Sequence, residues 1–245
     1  MRFEGNVAIV TGGGSGIGRA IALGLAAEGA AVVVADLAPD RARDVTREIE
    51  AAGGLAVPHK VDVSDSASVD AMVDAAVERF GALDILINNA GVVLIAPVAS
   101  MTDEQWDRVI AVNLRGTFLC SRAALRHMLP RRSGRIVNTA SGLGVSGSPG
   151  AAVYGASKAA IINFTRSLAL EVAPHGINVN AVSPGVTDTP FWRAIRTPQQ
   201  VEAEIAAGRV GKPEDIVPTV LFLCSEAAAA ITGQTIHRDI FLGDR

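Results

Sequence analysis

Tyr154 and Lys158 are the residues best placed by type and spacing to do chemistry. Tyr154 is the only tyrosine among 245 residues, and Lys158 is one of three lysines in a chain otherwise rich in arginine. Gly155, Ala156 and Ser157 separate them, and the run Ala159 to Phe164 continues the pattern of a helix. At i, i+4 spacing two side chains share one helix face. An ammonium beside a phenol favours the phenolate, so the spacing predicts a tyrosine whose pKa falls towards neutrality. A phenol tuned in that way gives or takes a proton near pH 7. The alternative is a surface lysine lying on a partly buried tyrosine, and the pair by itself leaves both open.

The elements that must position this pair follow from the apolar runs. Val7 to Val10 is a short apolar run bounded by turn residues, which predicts a buried strand. Thr11-Gly12-Gly13-Gly14-Ser15-Gly16-Ile17-Gly18 follows, then a helical pattern from Arg19 to Glu28 and a second strand from Ala31 to Ala35 that ends at Asp36. This is a βαβ unit with a glycine-rich first turn. Glycines let the backbone approach a pyrophosphate, and a helix N-terminus offers N–H donors and positive dipole. Gly12, Ser15, Gly16, Ile17 and Gly18 are therefore candidate cofactor contacts. A P-loop is excluded because Arg19 and Ala20 replace its Lys and Ser/Thr, and a nucleophile elbow because Ile17 stands where it needs glycine. Asp36 would accept hydrogen bonds from adenosine ribose hydroxyls and repel a 2′-phosphate, which favours NAD over NADP. Arg41 and Arg43 fall in the next helical pattern and are assigned to solvent.

Further along, Arg41 to Ala52 reads as a charged helix ended by Gly53-Gly54, and Leu55 to Val61 as the third strand. Asp62 and Val63 follow at the cofactor edge. Ser64 or Asp65 caps a helix running to about Phe80. Leu83 to Ile87 reads as the fourth strand, leading into Asn88-Asn89-Ala90-Gly91, whose amides can satisfy backbone groups and whose small residues leave room for a cofactor. A long helical region from Thr102 to about Met128 holds Asn113 among apolar neighbours, where an unpaired amide is costly. Gly134 to Thr139 is a fifth strand with Ser141 beyond its C-terminal end, where ligands bind in open α/β sheets. Asn178 to Val182 is a sixth, leading to Ser183-Pro184-Gly185. Thr187 to about Gly208 is the least regular stretch and is read as a short lid. Pro213 to Ser225 reads as a helix that Pro218 kinks, and Ile231 to Phe241 holds the last strand.

Composition narrows the classes. The net charge of −3 and the lack of a basic stripe give no reason to expect nucleic acid. No apolar run reaches the length of a membrane span. Cys120 and Cys224 form no metal or CxxC spacing, and the four histidines are scattered, so no metal site is expected; a reduced, cytoplasmic protein fits best. No linker or repeat divides the chain, so residues 1–245 are expected to form one dinucleotide-binding catalytic domain with its lid at about 187–208.

These motifs, Thr11-Gly12-x-x-x-Gly16-x-Gly18, Asn88-Asn89-Ala90-Gly91, Asn113, Ser141, Tyr154-x-x-x-Lys158 and Pro184-Gly185 in this order, resemble the short-chain dehydrogenase/reductase family over nearly the whole chain. The resemblance implies an α/β Rossmann fold, a doubly wound, seven-stranded parallel sheet of order 3-2-1-4-5-6-7 with helices on both faces. It implies a homo-oligomer, a tetramer or a dimer. By its roles, Tyr154 is general acid for carbonyl reduction and general base for alcohol oxidation. Lys158 lowers its pKa and holds the nicotinamide ribose, Ser141 hydrogen-bonds the substrate oxygen, and Asn113 holds a water in a proton relay. Asn89, Ala90, Gly91, Pro184, Gly185, Val186 and Thr187 border the cofactor, with Thr187 at the carboxamide. The chemistry implied is an NAD(H)-dependent exchange between a secondary alcohol and a ketone.

The expected substrate pocket is apolar, formed by Val92, Val93, Leu94, Leu143, Val145, Phe191 and Trp192, with Arg193 and Arg196 as lid arginines facing solvent or a substrate carboxylate. Where many relatives end the last strand in a Val-Asp-Gly-Gly-like turn, this chain has His237-Arg238-Asp239-Ile240-Phe241. Two other functions stand beside the first. One is a 3-oxoacyl-carrier-protein reductase using NADPH, which Asp36 and Leu170 oppose. The other is a catalytically silent NAD-binding regulator, which has no physical need for Ser141, Tyr154 and Lys158 together.

Overall fold

A computed structural model describes residues 1–238. Seven parallel strands form one sheet in the order β3-β2-β1-β4-β5-β6-β7. They are β1 (Val7–Thr11), β2 (Ala31–Asp36), β3 (Leu55–Lys60), β4 (Ile85–Asn88), β5 (Gly134–Thr139), β6 (Ile177–Ser183) and β7 (Thr235–His237). The order reverses beside β1: the chain builds outward to β3, then returns to place β4 on the other flank of β1. That reversal opens a crevice at the C-terminal ends of β1 and β4.

Successive side chains of a strand point to opposite faces, and here both faces are covered. On one side Ala8, Val10, Val32, Val34, Ile85 and Ile87 pack under α1 (Gly16–Ala27), α2 (Pro39–Ala51) and the C-terminal helix Val217–Cys224. On the other, Ile9, Val33, Leu86 and Ile136 pack under α3 (Ser66–Phe80) and the helices Gly116–Arg131 and Ala152–Val172. Burial on both faces explains why the strands read as continuous apolar runs rather than alternating ones.

Three segments differ from the sequence reading. The long helix expected from Thr102 is in three parts: α4 (Asp103–Val109), a π-helical turn over Ile110–Arg115, and α5 (Gly116–Arg131). The π turn carries Asn113 and turns it inward; such turns collect at functional sites. Pro218 does not kink a helix. A 3₁₀ turn, Pro213–Ile216, ends just before it, so the proline sits in the first turn of the next helix, where its missing N–H costs nothing. A short helix, α6 (Leu143–Ser146), appears where none was expected. The irregular stretch after β6 contains α8 (Pro190–Arg193) and α9 (Pro198–Ala206); α7 is Ala152–Val172 and α10 is Val217–Cys224. The last strand is short, and its expected continuation through Asp239 to Phe241 lies outside the described residues. Among the described residues no helix is long and apolar enough to cross a membrane, and no cluster of His, Cys, Asp or Glu side chains is arranged to hold a metal ion.

Candidate active site

Because all seven strands are parallel, their C-terminal ends share one edge, and a cleft of about 1100 Å³ runs along it. The turns after β1, β2, β4, β5 and β6 bring Gly12, Asp36, Asn89, Ser141 and Pro184 to its wall. Residues more than a hundred positions apart thus meet in one crevice.

The β1–α1 turn forms the far end. Ser15 caps α1 without a side-chain hydrogen bond, so the first-turn N–H groups of the helix have no side-chain acceptor. The loop folds tightly on itself: a Cβ on Gly18 would lie 2.1 Å from the Gly12 carbonyl oxygen and 2.5 Å from Asn89 Nδ2. Asn89 Nδ2 itself donates to the carbonyls of Thr11 and Gly12, and the Thr11 hydroxyl accepts from the N–H groups of Asn89 and Ala90. Both asparagines at the end of β4 satisfy neighbouring groups, Asn88 by donating to Ser121 and Asn138. A cradle of unpaired helical N–H groups over a loop with no room for side chains fits the pyrophosphate of a dinucleotide.

Asp36 closes this end. Its carboxylate accepts from the N–H groups of Gly14 and Ala38, both at 2.9 Å, so it braces the turn and faces the cleft at once. Arg43 pairs with Asp40 on α2, but Arg41 is not simply directed to solvent as expected. It is exposed yet lines the cleft, with its Cβ packed against Gly14 beside Asp36. The helical spacing placed Arg41 on α2 correctly; the angle at which α2 leaves Asp36 was not legible. Asp62 and Val63 border the same end, and hydrogen bonds from Ser64 hold the Asp62 carboxyl below its usual range.

Tyr154 and Lys158 lie one turn apart on α7, both buried, with the Lys158 Nζ 5.7 Å from the centre of the phenol ring. Lys158 Nζ donates to the Thr139 carbonyl at 2.6 Å, tying α7 to the end of β5. Ser141 lies close enough to the phenol to favour its ionised form, and its hydroxyl accepts from the Leu143 N–H at 3.3 Å. The short α6 makes this possible by close approach. A Cβ on Gly144 would stand 2.7 Å from the Ala159 N, and one on Gly155 would stand 2.9 Å from the Leu143 oxygen. Only glycines allow the two helices to meet there.

The electrostatics differ from the sequence expectation. Burial pushes the Tyr154 phenol above its ordinary value, and the hydrogen bond from Ser141 only partly opposes this. Burial also pulls the Lys158 ammonium down to about 8. Desolvation outweighs the attraction between phenolate and ammonium, because the same enclosure that brings the pair together withdraws water from both.

Asn113 lies behind the wall rather than in it. Its Oδ1 accepts from the Val92 N–H at 2.8 Å, and its Nδ2 donates to the Val92 carbonyl at 3.0 Å and to Ser157 at 3.1 Å. These bonds account for a buried amide in an apolar helix. Its main-chain carbonyl accepts from Thr117. Replacing Asn113 with alanine would orphan both backbone groups of Val92, so Asn113→Ala is expected to lower stability by about 2–3 kcal/mol, read by urea denaturation. A loss under about 0.5 kcal/mol would show that water replaces the amide.

Val92, Val93, Leu143, Phe191 and Trp192 line the cleft, as do Gly91, Pro184, Gly185, Val186 and Thr187. Gly18 lies behind the loop, and Leu94 and Val145 do not line the cleft; Val145 is exposed. Residues not anticipated include Thr139, Ile195, Gln200 and Glu204. Arg193 pairs with Asp188, whereas Arg196 faces the cleft.

A doubly wound sheet with a dinucleotide cradle at its switch point, and a serine, tyrosine and lysine gathered beside it, defines a nicotinamide-dependent oxidoreductase. The sequence matches the family described as Enoyl-(Acyl carrier protein) reductase over residues 12–240. It is 38% identical to 3-oxoacyl-acyl-carrier-protein reductase FabG of Thermotoga maritima over 241 residues, covering 98% of each chain. It is 42% identical to the FabG of Escherichia coli over 240 residues, 97% of each. It is 43% identical to cis-4-hydroxycyclohexanecarboxylate dehydrogenase of Sinomonas cyclohexanicum over 242 residues, 97% of this chain and 96% of that one. The chain belongs to the short-chain dehydrogenase/reductase family, and it is an enzyme acting on a CH–OH/ketone pair with a nicotinamide cofactor.

Proposed function

We propose that the protein is an NAD(H)-dependent oxidoreductase that interconverts a secondary alcohol and its ketone, with Tyr154 as general acid and base. The observation that carries this reading is the meeting of Ser141, Tyr154 and Lys158 at the end of β5, next to an apolar wall of Val93, Leu143, Phe191 and Trp192. When bound, the nicotinamide supplies hydride to the substrate carbon or takes it away. The chain's own residues handle the proton. Tyr154 gives it to the carbonyl oxygen in reduction and removes it from the hydroxyl in oxidation. Ser141 holds that oxygen by a hydrogen bond, and Lys158, fixed to Thr139, favours the phenolate as it forms. Asn113 holds the Val92 turn against α7 through Ser157. The stretch 187–208 acts as the lid of a single catalytic domain.

NAD is the cofactor in this reading, because Asp36 is held in place by two main-chain N–H groups. A 2′-phosphate would meet that fixed carboxylate. Arg41 pulls the other way, but it is exposed, and its charge is screened by solvent. Thermal-shift titration with NADH and NADPH tests the choice directly, since a ligand of the folded state raises apparent stability by mass action. The larger shift is expected with NADH. Asp36→Ala removes the repulsion and leaves Arg41, so the ratio of NADPH to NADH kcat/KM is expected to rise by about tenfold or more. An unchanged ratio would remove Asp36 from the selectivity.

Reduction of 3-oxoacyl groups on a carrier protein with NADPH is the second reading, favoured by the similarity to the two FabG reductases. A larger thermal shift with NADPH would put it first. A cytoplasmic homo-oligomer completes the first reading, supported by two free, buried cysteines and by the exposed Phe118 on α5 and Leu170 on α7.

A further inference from the structure

One wall of the cleft carries a cation that the proposed proton transfer does not use. Arg196 follows α8 and lines the cleft beside Phe191, Trp192 and Ile195. Its side chain is only 21% exposed. The guanidinium stacks 4.6 Å from the centre of the Trp192 ring. Its Nε donates to Glu204 at 3.1 Å and its Nη1 to the Trp192 carbonyl at 3.1 Å, whereas Nη2 has no hydrogen-bond partner among the described residues. The indole beneath it is buried, and the Trp192 Nε1–H is likewise without a partner. Two donors are therefore unassigned on a wall that also carries Phe191, Ile195, Gln200 and Glu204.

The position of these donors matters. The Phe191 ring lies 6.2 Å from the Tyr154 ring, Trp192 follows Phe191, and Arg196 covers Trp192. Tyr154, Phe191, Trp192 and Arg196 thus border one cleft, with Phe191 beside the phenol and Arg196 over Trp192. A substrate whose carbonyl meets Tyr154 and whose body lies on this wall brings its far end to Arg196. A pocket that is mostly apolar takes its specificity from a few such polar groups.

We propose that Arg196 anchors a carboxylate at the end of the substrate remote from its reacting carbon, so that the enzyme prefers oxo and hydroxy acids to neutral ketones and alcohols. The proposal rests on the alcohol–ketone reading of the same site. Glu204 and the indole hold the guanidinium in one orientation before substrate arrives, which removes the ordering cost of a long side chain. Glu204 also offsets part of the positive charge. That suits a monoanionic carboxylate and opposes a phosphate dianion.

The test compares 4-oxocyclohexanecarboxylate with its methyl ester as substrates for the wild type, Arg196→Gln and Glu204→Gln. Calorimetric binding of cyclohexanecarboxylate to the enzyme with NADH is measured in parallel. A charge-assisted hydrogen bond predicts that the wild type favours the acid over the ester in kcat/KM by about tenfold or more. Arg196→Gln is expected to bring that ratio to within about threefold through a higher KM for the acid, and to abolish cyclohexanecarboxylate binding. Glu204→Gln breaks the same ion pair but keeps the cation, so the preference should persist or widen. Equal use of acid and ester, a preference that survives Arg196→Gln, or an equal loss in Glu204→Gln would overturn the proposal; the last would mean that the pair only props the lid. If neither ketone is reduced, the alcohol–ketone reading fails for such rings, and calorimetry alone decides the anchor. Carboxylate binding to the wild type but not to Arg196→Gln sustains it, and absence of binding to the wild type refutes it.

Discussion

Tyr154→Phe is expected to lower kcat on the order of 10³-fold, the usual contribution of a positioned proton donor. Binding of NADH should change by no more than about twofold, because the substitution removes one oxygen and keeps the ring. The ring supplies the packing: it lies 6.2 Å from Phe191 and is approached by Lys158 Nζ at 5.7 Å to its centre. Ser141 loses a partner but still accepts from the Leu143 N–H, so the turn after β5 stays in place. Steady-state rates with a responsive ketone, together with a fluorescence titration of NADH, separate the two effects. Activity within about tenfold of wild type would require a different proton donor, and no other tyrosine exists in the chain.

Lys158→Met should abolish turnover to a similar degree and, at neutral pH, raise the stability of the ligand-free protein. The lysine is enclosed, and its pKa falls from 10.5 to about 8 because burial penalises the charged form. A lysine whose folded pKa is depressed costs stability wherever the unfolded chain would hold the proton more readily. The penalty is full below about pH 8 and disappears as pH rises towards 10.5, where the unfolded lysine also loses its proton. The full penalty is of the order of 3 kcal/mol, reduced by the hydrogen bond that the ammonium donates to Thr139. Thermal melts of both proteins from pH 7 to pH 10 read this out. The melting temperature of Lys158→Met should exceed that of wild type at pH 7, and the gap should close with rising pH. A variant less stable than wild type at pH 7 would show that the bond to Thr139 outweighs desolvation.

These two expectations come from opposite sources. Tyr154, Lys158, Ser141 and the glycine turn were legible because each belongs to a local pattern. An i, i+4 pair on a helix, a residue just past a strand and a loop of glycines between strand and helix keep their meaning wherever the element is placed. The same holds for the apolar runs, which located all seven strands. It failed where the outcome depended on a neighbour distant in the chain. Asn113 was singled out for the cost of burying an amide, but its partners Val92 and Ser157 come from a turn and a helix that only folding brings beside it. Pro218 was placed in a helix interior because the pattern does not mark where a 3₁₀ turn gives way to an α-helix.

The sequence by itself determined the strands, the glycine-rich turn and the placing of Tyr154 and Lys158 one turn apart on a single helix, since periodicity and spacing specify elements and the faces they present. Tertiary structure decided how strongly each group is enclosed, and with it the charge balance of the site. It raised the pKa of Tyr154 where proximity to Lys158 alone would lower it, carried Arg41 to the edge of the cleft, and set Arg196 over Trp192 in the substrate wall. The physical reason is that hydration is a property of the whole surroundings: a charge loses water to every element packed around it, and those elements come from all along the chain.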